Sequence, residues 1–131
     1  MAKVHFFYST MNAGKSTALL QSAHNYHETG NETILFIPRE DAEKNSGLIK
    51  SRIGLKASAV VIDSKIKIFD YVKNEVAKKS IDAILIDEAQ FLKKHQVLEI
   101  CKICDQLEIP VMCYGIRTDF RLSLIHISEP T

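Results

Sequence analysis

Short apolar runs alternate with longer segments of helical period along this chain. Runs rich in β-branched and aromatic residues occupy 4–8, 33–37, 59–62, 83–86 and 111–114, each bounded by polar or turn-forming residues, which predicts five strands. Between them, residues 17–27, 66–76 and 93–107 place apolar side chains at helical spacing: Ile66, Phe69, Val72 and Val76 in the second, and Val97, Ile100, Cys101 and Cys104 in the third. Strands that are apolar along their whole length and alternate with helices predict a parallel sheet covered on both faces. Its ligand site belongs beyond the carboxyl ends of the strands. Residues 38–58 are polar, with two glycines and a weaker pattern, and read as a mobile surface excursion that forms no separate domain.

The end of the first predicted strand changes this picture. Residues 9–16, Ser9, Thr10, Met11, Asn12, Ala13, Gly14, Lys15 and Ser16, fit the phosphate-loop pattern G-x-x-x-x-G-K-[ST] except that Ser9 stands at the first glycine. Such a loop turns backbone N–H groups inward around an anion at a helix amino end. Gly14 allows close approach, Lys15 reaches the β and γ phosphates, and the Ser16 hydroxyl meets Mg²⁺. The bland alternative is a chance Gly-Lys-Ser in an ordinary loop, and the strand-then-helix context argues against it.

A second constellation follows the apolar run at 83–86, where Asp87 and Glu88 open the sequence Asp-Glu-Ala-Gln-Phe, ending in Ala89, Gln90 and Phe91. An acid at a strand's carboxyl end is placed to organise a Mg²⁺ shell while its neighbour reaches a nucleophile. One acid there is often no more than a polar stop to a buried strand. Paired with the phosphate loop, expected on a neighbouring strand, the two acids read as a divided site. Arg52, Arg117 and Arg121 are candidates to neutralise a transferring phosphoryl group, although a lone arginine is more often a surface residue. Phe91 and Phe120 fit either a base pocket or core packing.

Composition narrows the partners. With 131 residues and 46% hydrophobic content, the chain has core enough for one domain. Its 17 basic and 16 acidic side chains nearly cancel and are scattered, which argues against nucleic acid or an anionic membrane as partner. No apolar run reaches the length of a membrane span and no secretion signal opens the chain, so a cytoplasmic protein is expected. Cys101, Cys104 and Cys113 are odd in number, which suits a reducing compartment. Cys101 and Cys104 have metal-ligand spacing, but no second pair completes four ligands, and buried thiols are the expectation.

Taken in order, "MNAGKST", "SRIG", "DEAQF" and "CYGIRTDFR" resemble the thymidine kinases of the bacterial and cytosolic type, from Lys3 to about Arg121. The resemblance implies a P-loop NTPase fold with a RecA-like, mostly parallel sheet covered by helices. It implies transfer of the γ-phosphoryl group of ATP to the 5′-hydroxyl of thymidine, and of deoxyuridine, in a salvage enzyme that is usually a homotetramer inhibited by its end product. By that likeness residues 9–16 and 87–90 bind ATP, Ser16 and Asp87 organise Mg²⁺, and Glu88 takes the proton of the attacking hydroxyl. Met11, Arg52, Phe91 and Phe120 lie near the nucleoside.

Members of the family continue with a loop that closes over the nucleoside and a small lobe that holds zinc through four cysteines. Residues 122–131, "LSLIHISEPT", do not resemble that continuation. The expectation is therefore a kinase domain over 1–121, without the zinc lobe, followed by a tail foreign to the family. Two rivals remain at this point: a motor-type ATPase, in which the Glu88 carboxylate aligns water, and a nucleotide-binding fragment without turnover.

Overall fold

The computed structural model describes residues 3–9, 15–38, 48–50, 56–63 and 65–116. Among the described residues seven strands and three α-helices follow one another: β1 (Val4–Ser9), α1 (Lys15–Glu28), β2 (Thr33–Pro38), β3 (Leu48–Lys50), β4 (Lys56–Ser58), β5 (Val60–Ile62), α2 (Ile68–Lys78), β6 (Ala83–Ile86), α3 (Lys94–Lys102) and β7 (Val111–Ile116). A 3-10 turn at Ala89–Phe91 precedes α3, and a π-helical turn at Ile103–Leu107 continues it. The five predicted strands and three predicted helices are all present, with ends displaced by a residue or two.

Five strands form one sheet in the order β1-β7-β6-β2-β5, and every pair in it is parallel. Parallel neighbours need crossovers, and crossovers are right-handed. The step from β1 to β2 runs one way along the sheet, whereas those from β5 to β6 and β6 to β7 run back. Handedness therefore puts α1 on one face and α2 with α3 on the other.

The core divides accordingly. Leu19, Leu20 and Ala23 of α1 pack with Leu35, Ile37, Ala83, Leu85 and Tyr114. The intervening strand residues Ile34, Phe36, Ile84, Ile86, Val111 and Cys113 pack with Ile68, Phe69 and Val72 of α2 and with Ile100 of α3. This period-two division explains why the strands read as unbroken apolar runs: both faces are buried.

Local chemistry sets the helix ends. Beyond α1, Gly30 adopts φ +81°, and the N–H groups of Gly30 and Asn31 donate to the carbonyls of His27 and Tyr26 at 3.0 and 2.9 Å. This is a Schellman closure, with glycine at the left-handed position. Ahead of α2, the Asp63 carboxylate accepts the N–H groups of Lys65 and Ile66, both at 2.9 Å. The backbone N–H of Phe69, in the first turn of α2, donates to Glu99 Oε1 of α3 at 3.2 Å. The two helices on that face are thereby tied together.

Two expectations change. The polar stretch 38–58 contains an antiparallel pair, β3 with β4, outside the main sheet. Strands of three residues are too short to leave a period in the sequence. Ala57 and Ala59 pack against the α1-side core, so part of this excursion is held to the body of the protein. The second correction concerns the sheet: β6 is not the neighbour of β1, because β7 lies between them.

Candidate active site

That intervening strand sets the dimensions of the site. Val4 of β1 and Ile84 of β6 are both level with Val111 of β7. Continuing this register by one residue past Ile86 brings Asp87 level with Tyr114, and hence with Phe7 of β1. Two strand spacings separate the carboxyl ends of β1 and β6 laterally, roughly 10 Å. β7 lies in this gap, with the end of β1 on one side of it and the acids on the other.

On one side of the gap, α1 opens at Lys15, as the phosphate-loop pattern requires. Ser9 ends β1. Thr10, Met11, Asn12, Ala13 and Gly14 lie outside the described residues, as do Arg52, Arg117, Phe120 and Arg121.

On the other side, Asp87 is 1% exposed, and its N–H donates to the Phe36 carbonyl at 3.0 Å, extending the β6–β2 pairing by one residue. Strand alternation carries it to the same face as Ala83 and Leu85, which is the face of α1. Its Oδ1 accepts the Glu88 N–H at 2.9 Å. Glu88 adopts left-handed backbone angles, φ 52° and ψ 45°, a conformation that costs a non-glycine residue about 1–2 kcal/mol. The bend turns the chain out of the strand and into the 3-10 turn, where the Phe91 N–H donates to the Glu88 carbonyl at 3.1 Å. Gln90 Nε2 donates to Glu88 Oε2 at 2.8 Å.

Ala89 is buried under the turn, and Phe91 is 47% exposed. The Phe91 ring is thus a surface group at the carboxyl end of the sheet, which excludes core packing for it. The turn is braced from below. Gln96 Oε1 accepts the Lys93 N–H at 2.7 Å, and Gln96 Nε2 donates to the Asp63 carbonyl at 3.4 Å. Lys93 has no side-chain acceptor, so only the Gln96 half of a capping box forms. Sequence reasoning overlooked Gln96, whose partner Asp63 is 33 positions away.

The cysteines stand apart from this site. All three are free thiols, with Cys104 and Cys113 buried and Cys101 half-buried. Burial pushes the Cys104 thiol up to about 11 and raises those of Cys101 and Cys113. Protonated thiols are poor nucleophiles and poor metal ligands.

The thymidine kinase profile matches residues 2–129. The chain belongs to the thymidine kinase family. It is 49% identical over 129 residues to a thymidine kinase of Zymomonas mobilis, covering 98% of this chain and 67% of the relative. The corresponding enzyme of Rhodopirellula baltica is 46% identical over 129 residues, with 61% of its length covered. That of Escherichia coli K12 is 47% identical over 121 residues, covering 92% of this chain and 59% of the relative. This thymidine kinase chain therefore spans about three-fifths to two-thirds of the length of these relatives. Among the described residues, no helix is long and apolar enough to cross a membrane.

Proposed function

We propose that this protein transfers the γ-phosphoryl group of ATP to the 5′-hydroxyl of thymidine, and of deoxyuridine, giving the nucleoside monophosphate in salvage. The observation that carries the reading is the buried Asp87 beside the bent, Gln90-held Glu88, in a chain whose relatives are named thymidine kinases. The same relatives favour this reading over a motor-type ATPase.

In this reading Ser9, Thr10, Met11, Asn12, Ala13, Gly14, Lys15 and Ser16 cradle the ATP phosphates, with Asp87 and Glu88 facing them. Lys15 supplies a charge-assisted donor. Asp87 and Ser16 would hold Mg²⁺. A buried carboxylate at a strand end fits an ion that takes one or two carboxylates together with substrate phosphates. When bound, Mg²⁺ neutralises charge on the phosphate oxygens. Glu88 accepts the 5′-hydroxyl proton as that oxygen bonds to the γ phosphorus and the bond to the β-γ bridging oxygen breaks, releasing ADP. Phe91 offers a ring face to the nucleoside, and Met11, Arg52 and Phe120 complete its surroundings. A zinc lobe, a homotetramer and a cytoplasmic location extend the same family reading, with neither nucleic acid nor membrane as partner.

The test is kinetic, on the whole protein carrying this sequence. Glu88→Gln lowers thymidine turnover by roughly 10²–10⁴, the scale of a lost general base, while ATP and thymidine still bind. Asp87→Asn instead raises the Mg²⁺ concentration needed for half-maximal rate. Small and equal effects of the two substitutions would falsify this division of labour.

A further inference from the structure

We infer that Gln90 is a positioning residue for Glu88: its amide holds the Glu88 carboxylate in the orientation from which it takes the hydroxyl proton. The inference rests on the reading of Glu88 as base and assigns Gln90 a task other than contact with nucleotide.

The geometry supports it at three points. First, the Glu88 backbone is fixed in a left-handed conformation by its own N–H bond to Asp87 Oδ1 at 2.9 Å, so the side chain leaves the chain in one direction. Second, the carboxylate at its far end is gripped at Oε2 by Gln90 Nε2 at 2.8 Å. A glutamate has three side-chain torsions, the last of them broad, and a short bond from Gln90 at one carboxylate oxygen restricts all three. Third, Gln90 is itself held. It lies in the middle of the 3-10 turn, between the buried Ala89 and Phe91, and the Leu92 N–H closes that turn on the Ala89 carbonyl at 3.1 Å.

Backbone to carboxylate to amide to backbone is thus a closed loop of short links over three residues. Its chemical sense is preorganisation. A base must meet its proton within hydrogen-bond reach, and a misplacement near 1 Å costs on the order of 10²-fold in rate. An amide suits the task because it donates a proton without bringing a competing charge.

The test is a double-mutant cycle in the whole protein carrying this sequence, with kcat, the two KM values, ATP affinity by titration and melting temperature measured for each variant. Gln90→Met keeps the length of the side chain and removes the donor. We expect kcat to fall by about tenfold to a hundredfold, with KM values, ATP affinity and melting temperature close to those of the parent. In a Glu88→Gln background the same substitution should change kcat little, because the group it positions is gone. Should Gln90→Met lower the melting temperature, Gln90→Leu replaces it, apolar and without a donor.

Unchanged kcat in Gln90→Met, beside an impaired Glu88→Gln, overturns the role of Gln90 and leaves Glu88 as base. An equal loss in both backgrounds, or weakened ATP binding at unchanged kcat, overturns it too and places Gln90 on the nucleotide. Parental turnover in Glu88→Gln removes the base reading itself, and this inference with it.

Discussion

Two non-glycine residues have left-handed backbone angles among the described residues, and they stand in different settings. Glu108, φ 55°, terminates the π-helical turn after α3 and is exposed, whereas Glu88, φ 52°, connects β6 to the 3-10 turn at the acids. At a helix end the left-handed position favours glycine, so the glutamate at 108 carries a cost. Glu108→Gly should therefore stabilise the protein by about 0.5–1 kcal/mol, the relief of 1–2 kcal/mol of strain less the added freedom of the unfolded chain. At Glu88 the same substitution relieves the same strain but removes the carboxylate and its bond from Gln90. There turnover should collapse without loss of melting temperature. Strain retained where function needs a particular residue is expected of active sites, and thermal melts of the two glycine variants beside turnover assays check the contrast. Loss of stability in both variants would show that the bend is held by contacts and carries no strain.

At the scale of elements, the sequence reads well where periods are long. The strands at 33–38 and 83–86 and the helix at 68–78 follow from apolar runs and helical spacing, because the strands are buried on both faces and the helix buries one face against the sheet. The β3–β4 pair was illegible at three residues per strand, and the π turn was hidden because it continues the apolar pattern of α3 while shifting its phase, bringing Ile103 into the core beside Cys104. Strand order was equally out of reach, since nothing local says that β7 inserts between β1 and β6. The two acids were legible as residue types at a strand's end, but not the bracing around them. Gln96 illustrates this. It is 3% exposed and bridges the Lys93 N–H to the Asp63 carbonyl, joining the start of α3 to the segment after β5. Gln96→Ala should cost about 1–3 kcal/mol, because it removes two part-buried hydrogen bonds, one of them half a capping box. Urea unfolding measures the loss, and a midpoint within error of the parent would mean that α3 starts without this brace.

On the scale of the whole molecule, the sheet sets the carboxyl ends of β1 and β6 two strand positions apart, with β7 between them. The covered relatives are longer: this chain spans 59–67% of their length. In the proposed reading nucleotide binding needs the cradle, residues 9–16, and the acids Asp87 and Glu88. Phosphoryl transfer needs more, because it depends on positioning the attacking hydroxyl and excluding water. In the proposed reading Phe91, exposed after the acids, offers an aromatic face beside Met11, Arg52 and Phe120, and the hydroxyl must still be held in line and shielded from water. The 131-residue chain is therefore expected to bind ATP with Mg²⁺ while phosphorylating thymidine at least 10²-fold more slowly than a version extended to family length with a relative's carboxyl-terminal region. Titration of ATP into the purified chain and parallel assays with radiolabelled thymidine separate the two properties. Equal turnover by the short and extended proteins would locate a complete nucleoside site within residues 1–131. Loss of ATP binding in the short chain would show instead that the cradle depends on segments beyond the sheet.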